Sequence, residues 1–526
     1  MKRSLLHYIR LASMSGILSG GVAQSLAAGA AASDTAAIHR GVIEQSTLYN
    51  HWIPGIYDNP GVKPYQWQYA LSSFFGRWHK RDAQTAYHVQ EGRKSDDRSL
   101  SARSYLPLSQ RDFVWGRATY EHQYITESAL TSVSDYALLY PHVVADDVRH
   151  NSHTERYEFG GGYGMKRSRW SWGLDGNFRA FYEYRKEDPR ASDVVGDLVG
   201  KAGASYCLNA RYSLFAGIYA GKYKQNADVK SFSGIGTNQL IQMGPAYYNN
   251  RFSDADVNVL YKGSTWGADA GLFAPRRNGA VLHLHYRHQK INRFVQDLTQ
   301  LVPLTALYEH ASGANAGWQQ TLGRHRIAFQ AEVSYIHRTG VERVLGERKG
   351  GVFPVVADFD QYYSERIHGM VSALYGYTAR RGWGVEVAPF GGIRHFYEHT
   401  LLPDQQRKLN YFTLGGDLAA RVHFRYRHLL LLQAHGEWMK NTGRLLMLKT
   451  GKLVIADFDK ESKLGRILMA DYKQQITDYF AWNISLQYSW ACNDKLSFFL
   501  AGDYYTRMYA EPQSNWKYAV NAGINF

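Results

Sequence analysis

The sequence predicts an all-β protein, a closed antiparallel transmembrane β-barrel of about 14 to 18 strands with roughly 16 as the central value. Three observations indicate this fold: long segments alternate between apolar and polar residues, aromatic residues stand at the ends of the apolar faces, and short turns alternate with long polar loops. Lipid offers no hydrogen-bond partner to the main chain, so strands cross a bilayer only when their sheet closes on itself. Closure then places apolar side chains outward and polar side chains inward.

Composition supports β structure and limits the other classes. The 526 residues are 45% hydrophobic and 14% aromatic, with 49 Gly against 13 Pro and a mean hydropathy of −0.41. After the N-terminal region, no apolar run reaches the length of about 18 residues that a transmembrane helix needs. Cys207 and Cys492 form neither a disulfide framework nor a C-x-x-C pair.

The net charge of +15 comes from scattered residues rather than from a basic helix or a nucleic-acid-binding motif. The sequence therefore predicts no nucleic acid as a partner. For an exported basic protein, we expect anionic lipid head groups or an anionic ligand instead. Outer-membrane lipid and lipopolysaccharide are the predicted partners.

The N-terminal region predicts export. Residues 1–32 begin with Lys2, Arg3 and Arg10 and continue into a Gly/Ser/Ala-rich apolar stretch, which is typical of a signal peptide. Residues 33–64, with the stretch "HWIPGIYDNPG", are predicted to be a periplasmic leader or a lumenal segment, too short for a receptor plug domain. Residues 65–526 are predicted to form the barrel, integral to the outer membrane of a Gram-negative bacterium.

Alternation identifies the strands. In "WNISLQYSW", apolar and aromatic residues from Trp482 to Trp490 share one face, and Asn483, Ser485 and Gln487 share the other. The same pattern recurs over 170–184, 280–288, 326–335, 412–426, 496–505 and 515–526. A soluble β-sandwich or propeller also alternates, but its strands are usually only about 5 or 6 residues long.

The connections predict two different rims. Short turns occur near 166–169, 208–212, 276–279, 323–326, 380–382, 425–428 and 493–495, and long polar segments occur around 126–153, 225–250, 338–362 and 440–473. Short periplasmic turns and long extracellular loops are the organisation of an outer-membrane barrel. About 18 segments are strand-like, but the alternation of long and short connections breaks near residues 247–290, so one assignment there is expected to be wrong and the even number of strands is left between 14 and 18.

Inward-facing polar residues are the candidates for ligand binding or for lining a pore. His283 and His285 lie on one face of a strand, about 7 Å apart, and could share a metal ion or flank a haem, or serve as ordinary polar lumen residues; Arg287 follows on the same face. A second charged patch consists of Asp417, Arg421, His423, Arg425, His435 and Glu437. Rings of charge of this kind set selectivity in narrow pores.

No catalytic motif and no cofactor are predicted. Neither G-x-S-x-G nor H-E-x-x-H occurs, although catalytic triads are recognised by geometry rather than by sequence order. The glycines of "GGGYG" (160–164) are interpreted as permitting strand curvature or close packing. The leading function is porin-like transport or ligand binding; the alternatives are a hydrolase embedded in the barrel and a structural or secretion accessory with a plugged lumen.

Two stretches carry a resemblance to a known family. "VWGRATYEH" (114–122) and "SDYALLYPHVVADD" (134–147) resemble motifs of an uncharacterised, domain-of-unknown-function family of Bacteroidota outer-membrane β-barrel proteins. The resemblance covers nearly the whole mature chain. It implies an accessory role beside a TonB-dependent receptor in the uptake of a nutrient such as iron or haem, and it supplies no catalytic residues. Phe526 resembles the assembly signal that the barrel-assembly machinery reads, which implies that machinery as a partner.

Overall fold

The computed structural model describes residues 36–146, 148–232, 239–249, 257–297, 300–348, 353–380, 382–448, 463–510 and 513–526. The signal peptide predicted over residues 1–32 lies outside these ranges. Within them, none of the helices has the length and apolar character needed to cross a membrane.

The described chain is almost entirely β-strand. In chain order the strands are β1 (Leu71–Ala83), β2 (Lys94–Pro107), β3 (Asp112–Ser128), β4 (Val144–Ala145), β5 (His150–Arg167), β6 (Trp170–Tyr184), β7 (Arg190–Cys207), β8 (Ser213–Lys230), β9 (Leu240–Gln242), β10 (Tyr248–Asn249), β11 (Val257–Phe273), β12 (Gly279–Asp297), β13 (Gln300–Leu322), β14 (His325–Leu345), β15 (Val355–Thr378), β16 (Gly384–Thr400), β17 (Gln405–Phe424), β18 (His428–Leu448), β19 (Tyr479–Asn493), β20 (Leu496–Tyr509) and β21 (Ser514–Asn525). The helices are α1 (Ala37–Ser46), α2 (Tyr136–Leu139) and α3 (Lys463–Ile476), with 3₁₀ turns at Tyr49–His51, Pro54–Asp58, Lys63–Tyr65 and Val89–Glu91.

All strands except β4, β9 and β10 form one 18-stranded antiparallel sheet, in which each strand pairs with its neighbours in sequence. The sheet closes where β1 pairs with β21: Ser72 and Phe526 exchange main-chain hydrogen bonds of 2.8 and 2.9 Å. The predicted closed antiparallel barrel is therefore confirmed.

The central value of 16 strands is wrong, because 18 strands form the barrel. The error lies near residues 247–290, where the predicted alternation of turns and loops broke. There, β8 and β11 are direct neighbours in the barrel. The two short strands described between them, β9 and β10, form a separate small sheet with β4. Sequence alternation alone does not separate a membrane strand from a loop that packs inside the barrel.

The outward face is apolar, as the alternation predicted. Ile218 and Leu174 are 67% and 58% exposed, although both are large aliphatic residues. Exposed aromatic and aliphatic residues from the predicted faces include Trp170, Trp172, Phe178, Leu282, Leu284, Phe329, Val333, Phe412, Leu414, Ile484, Leu486, Trp490, Phe498 and Leu500. A closed sheet with an apolar exterior and aromatic residues among it is the architecture of an outer-membrane-type barrel.

The two rims differ as predicted. At one rim, which we call the short-turn end, strands are joined by short turns such as 168–169 and 323–324. Gly323 in one of these turns has a φ of +63°, which glycine adopts without steric cost. At the other rim, the long-loop end, connections reach from 129 to 149 and from 449 to 478.

The core lies inside the barrel rather than between layers. Residues 36–70, which we call the plug segment, pack within the short-turn end, and the first barrel strand begins at Leu71. Residues 129–146, which we call the mouth loop, fold into the long-loop end against inward-facing residues of β6, β7, β8, β11, β12 and β13. These two segments bound the space in which the polar inward residues meet.

Candidate functional site: a chamber in the barrel lumen

The plug segment is held by apolar contacts with the barrel wall. Ile53, Ile56 and Val62 are 2% exposed or less and pack in one cluster with Phe215, Phe273 and Val281. Helix α1 packs its apolar residues against inward-facing Leu429 and Leu431 of β18. The buried apolar side chains of the plug segment are therefore packed against the barrel wall.

A buried carboxylate fixes the middle of the plug segment. Glu386 on β16 accepts hydrogen bonds from the backbone N–H groups of Leu48 and Tyr49, at 2.6 and 3.4 Å. Its other oxygen lies 3.3 Å from Arg326 and 4.0 Å from Arg421. Since Glu386 is 2% exposed, this charge is compensated by hydrogen bonds and by two guanidinium groups rather than by solvent.

The mouth loop is tied to the opposite wall through its main chain. Arg338 on β14 donates to the carbonyl oxygens of Ala137 and Tyr140, at 3.1 and 2.6 Å. The Tyr140 hydroxyl donates to Glu398, at 2.7 Å, and Glu398 is itself paired with Arg407 at 2.5 Å. These contacts seat the loop across the barrel rather than along one wall.

Two acidic residues of the mouth loop pair with arginines of the near wall. Asp135 accepts two hydrogen bonds from Arg179, at 2.9 and 2.8 Å, in the bidentate geometry that favours a planar guanidinium. Asp146 lies 2.7 Å from Arg185, and neither side chain is more than 4% exposed. The mouth loop is therefore anchored at both of its ends by charged groups.

Burial shifts the protonation of the mouth loop. Burial lowers the pKa of His142 well below its usual value, and Arg293 and Arg338 lower it further, so the ring is neutral. Burial raises the pKa of the Tyr140 hydroxyl, and Glu398 raises it further, which keeps this donor protonated. Although burial acts to raise the pKa of Asp146, the attraction of Arg185 and His150 lowers it overall, so the carboxylate stays ionised.

Between the plug segment and the mouth loop lies a cavity of about 890 Å³. We call it the chamber: Gly55, Asp58 and Pro60 form its plug side, and the stretch 135–138 forms its mouth side. A second cavity, of about 670 Å³, adjoins it through shared residues, namely Asp58, Pro60, Arg117, Asn177 and Lys201. Both cavities are bounded by parts of the chain itself.

The chamber wall carries both signs of charge. Its cationic side chains are Arg117, Arg179, Lys201 and Arg287, and its carboxylates are Asp58, Asp135, Asp197 and Asp269. Some of these are already paired: Arg179 lies 3.3 Å from Asp197 as well as against Asp135. A wall of this composition favours a polar ligand that presents both charges over an apolar or singly charged one.

The first predicted group lies in the chamber. His283, His285 and Arg287 all line it, with the two imidazole centroids 5.3 Å apart. His283 is 6% exposed, and its Nε2 atom has no hydrogen-bond partner among the described residues. Arg287 donates to Glu309 at 2.6 Å. In the part of the chain that the structure describes, no three His, Cys, Asp or Glu residues cluster as metal ligands.

The second predicted patch does not form one site. His435 hydrogen-bonds to Asp417 at 2.8 Å, whereas Glu437 accepts from Tyr479 at 2.7 Å. Arg421 and His423 belong to the plug contacts instead: Arg421 lies beside Glu386, and the His423 ring is 5.9 Å from that of His39 in α1. These residues lie at different heights along β17 and β18, so they do not meet in one site.

The placement of Arg425 on the inward face is wrong. Strand β17 ends at Phe424, and Arg425 lies exposed in the turn to β18, with a φ of +50°. The alternation of apolar and polar residues continues across the turn in the sequence. It predicts which way a side chain points only within a strand, and the strand has already ended.

The motif at 114–122 forms part of β3 and supplies chamber wall. Trp115 donates from Nε1 to Asp175 at 2.6 Å, and Arg117 donates to Asn177 at 2.8 Å. A β-carbon at Gly162 would overlap the Trp115 ring, which confirms the interpretation of the glycine run as close packing. The Asp175, Asn177 and Arg179 side chains were recognisable as the polar face of a strand, but nothing local marked them as a site.

The motif at 134–147 overlaps the mouth loop and contributes Asp135 to the chamber. No periodic pattern identified it, and only the family resemblance did. Its polar residues find their partners on β6, β7, β8 and β16 and at Arg185 directly after β6, at sequence separations from 39 to 258 residues. The chamber is therefore a long-range feature.

The fold and the chamber define the class: an outer-membrane-type barrel with both ends of its lumen occupied by its own segments. The chain belongs to the family of unknown function DUF6850, whose model matches residues 64–526. No curated protein shows significant sequence similarity to it.

Several solved structures match the chain at low similarity. The siderophore receptor PiuA from Acinetobacter baumannii is 6% identical over 88% of this chain and 82% of its own, with a TM-score of 0.38. The FrpB iron transporter from Neisseria meningitidis is 10% identical over 87% and 81%, with a TM-score of 0.39. The ferric yersiniabactin uptake receptor FyuA from Yersinia pestis is 9% identical over 86% and 80%, with a TM-score of 0.34. Similarity this low defines neither substrate nor partner.

Proposed function

We propose that this protein is an integral outer-membrane barrel that binds a small polar solute in the chamber and admits it to the periplasm. The observation that carries the proposal is the cavity of about 890 Å³, lined by four cationic side chains and four carboxylates. Sites for small molecules typically have volumes of about 300 to 1,000 Å³. The charge balance favours a zwitterionic ligand, which the chamber binds and passes without chemical change.

Passage through the barrel requires a moving part. The plug segment occupies the short-turn end and the mouth loop occupies the long-loop end. An always-open pore does not fit this arrangement, because a solute would meet buried apolar clusters on both sides. We place the long loops outside the cell, following the asymmetry of known barrels, so the mouth loop is the entry gate and the plug segment is the exit gate.

A thermal-protection experiment tests ligand binding. Purified barrel in detergent is heated with zwitterionic, anionic, cationic and uncharged solutes of similar size, and unfolding is followed by gel migration. We expect zwitterionic solutes to raise the unfolding temperature, and the double variant Lys201→Ala/Arg287→Ala to lose that protection. Lys440→Ala removes an exposed lysine that is not part of the chamber wall, and it serves as the matched control. Equal protection of all three proteins would refute binding in the chamber.

A structural or secretion accessory with a plugged lumen is the second candidate, and the occupied ends of the lumen favour it. Solute uptake into proteoliposomes separates the two. Uptake of a protective solute by the wild type supports the gated barrel, whereas protection without uptake, or neither, supports the accessory.

We also propose that the barrel works beside a TonB-dependent receptor in nutrient uptake. This role is supported only by the family resemblance of the motifs at 114–122 and 134–147. Co-purification from outer membranes after mild crosslinking tests it. Recovery of such a receptor is the expected result, and recovery of the barrel alone would remove the accessory role while leaving the chamber proposal intact.

A further inference from the structure

Four lysines form a row on the outside of three neighbouring strands. Lys222 and Lys224 lie on β8, Lys262 on β11 and Lys290 on β12. We call this set the lysine row. Its members alternate in phase with outward-facing apolar residues of the same strands, namely Ile218, Trp266 and Leu284, each at least 47% exposed. The lysines therefore point to the surroundings of the barrel and not to its lumen.

The pairing register brings these lysines together. Lys224 stands directly opposite Lys262, Ser264 stands opposite both Lys222 and Lys290, and each of these pairs is a main-chain neighbour in the sheet. Side chains directly opposite on one face of an antiparallel pair have β-carbons only about 4.5 to 5.5 Å apart. Like charges in that position destabilise the pair unless a counter-charge lies between them.

The chain itself supplies no such counter-charge among the described residues, where no carboxylate lies within 4 Å of any of the four ammonium groups. The ammonium groups of Lys262 and Lys290 lie over the rings of Phe294 and Tyr308 instead, at 5.4 and 4.9 Å. The carboxylate of Asp228, further along β8, is paired with Lys230 at 3.2 Å. Elsewhere on the exterior the arrangement differs: Lys94 on β2 stands opposite Asp82 on β1 and pairs with it at 3.4 Å.

The height of the lysine row matches a membrane boundary. From Leu214, the first exposed apolar residue of β8, to Lys224 is ten residues, or roughly 33 Å along the strand. With the usual strand tilt of about 40°, this corresponds to a height of roughly 25 Å, which equals the apolar band of an outer-membrane barrel. The lysine row thus stands at the long-loop edge of that band.

We propose that the lysine row is a binding site for the phosphate groups of a phosphorylated lipid in the leaflet at the long-loop end. The head group lies across Lys222, Lys224, Lys262 and Lys290, and the acyl chains follow the exposed apolar residues beneath them. The lipid phosphates provide the counter-charge that the opposed Lys224 and Lys262 lack. The site rests on the outer-membrane location in the proposed function, and it is independent of the chamber.

Lipid retention by the full-length barrel in detergent tests the site. The probes are lipid A with its phosphates, the same lipid A after phosphate removal, and inorganic phosphate, each quantified by native mass spectrometry. Each lysine at a membrane surface contributes about 1 kcal/mol, a roughly fivefold change, so the variant Lys224→Gln/Lys262→Gln should bind phosphorylated lipid A about 25-fold more weakly. Lys94→Gln, whose charge is already paired with Asp82, is the matched control and should bind as the wild type does.

A stability measurement adds a second readout that a purely structural role would not produce. In detergent without lipid, Lys224→Gln/Lys262→Gln should unfold at the same temperature as the wild type or higher, because it relieves like-charge repulsion. With phosphorylated lipid A, the wild type should instead unfold at a higher temperature than the variant. Unchanged retention in the variant, or equal retention of dephosphorylated lipid A, would overturn the site; binding of inorganic phosphate with equal affinity would overturn the lipid as its ligand. Fractionation of the chain away from the outer membrane would instead overturn the location on which the site depends.

Discussion

The plug segment is expected to loosen as the pH falls, because its first helix buries a neutral histidine. His39 in α1 is 0% exposed, and neither ring nitrogen has a hydrogen-bond partner among the described residues. Burial, together with the smaller effects of the nearby His423 and His428, lowers the pKa of His39 from 6.5 to about 4. Protonation therefore opposes docking of the plug segment.

The sign and size follow from proton linkage. Once released into water, His39 regains a pKa near 6.5, so the released segment binds a proton more readily than the docked one. Docking is unaffected above pH 6.5, weakens as the pH falls from 6.5 to about 4, and changes no further below that value. The loss amounts to about 2 kcal/mol at pH 5 and roughly 3 kcal/mol below pH 4.

Spin-label mobility measures this release. A label at Ser46→Cys, at the end of α1, in a background with Cys207 and Cys492 replaced by serine, reports whether the plug segment is docked. We expect the mobile fraction to rise roughly 30-fold between pH 7.5 and pH 5, the equivalent of about 2 kcal/mol. His39→Leu places an apolar side chain that does not titrate at the buried position, and it should abolish this rise. An identical rise in that variant, or no rise in the wild type, would refute the reasoning.

Three other outcomes follow from the described contacts. Arg185→Ala leaves Asp146 as a buried, unpaired carboxylate, and it should destabilise the mouth loop by about 3 to 5 kcal/mol, measured as faster proteolysis within residues 129–146. Glu386→Ala removes the acceptor of two plug N–H groups and should raise the mobile fraction of a spin label at Ser46→Cys at pH 7.5, whereas an unchanged mobile fraction would show that the plug segment is held elsewhere. A cysteine at Leu402, at the long-loop end, should react with an impermeant maleimide on intact cells, and one at Arg324, at the short-turn end, should not; the reverse would invert the orientation.

Local pattern was enough to predict the outward-facing half of the barrel. The exposed faces that include Trp170, Leu284, Leu414 and Leu486 were readable because lipid imposes the same demand at each outward position, residue by residue. The difference between the short-turn end and the long-loop end could be predicted for a similar reason, because the length of a turn is a local property of the sequence. The strand number was not, because the loop between β8 and β11 carries apolar residues that pack in the lumen.

The predicted site was only partly recovered. His283, His285 and Arg287 share a face by strand periodicity, and they do line the chamber. The prediction that Arg425 faces inward is wrong, because the chain turns after Phe424 although the sequence pattern continues. The remaining members of the second patch do not form one site. They contact different partners, on β16, on β19 and in the plug segment.

The sequence by itself determined a closed β-barrel with an apolar exterior and two unequal rims, because those features arise from period-two alternation and local turns. Only the tertiary structure decided that residues 36–70 and 129–146 occupy the lumen and enclose a chamber. The physical reason is that the chamber depends on partners far apart in sequence, such as Tyr140 with Glu398 and Leu48 with Glu386. Such pairs leave no periodic trace, since each partner is an ordinary polar residue in its own strand or loop.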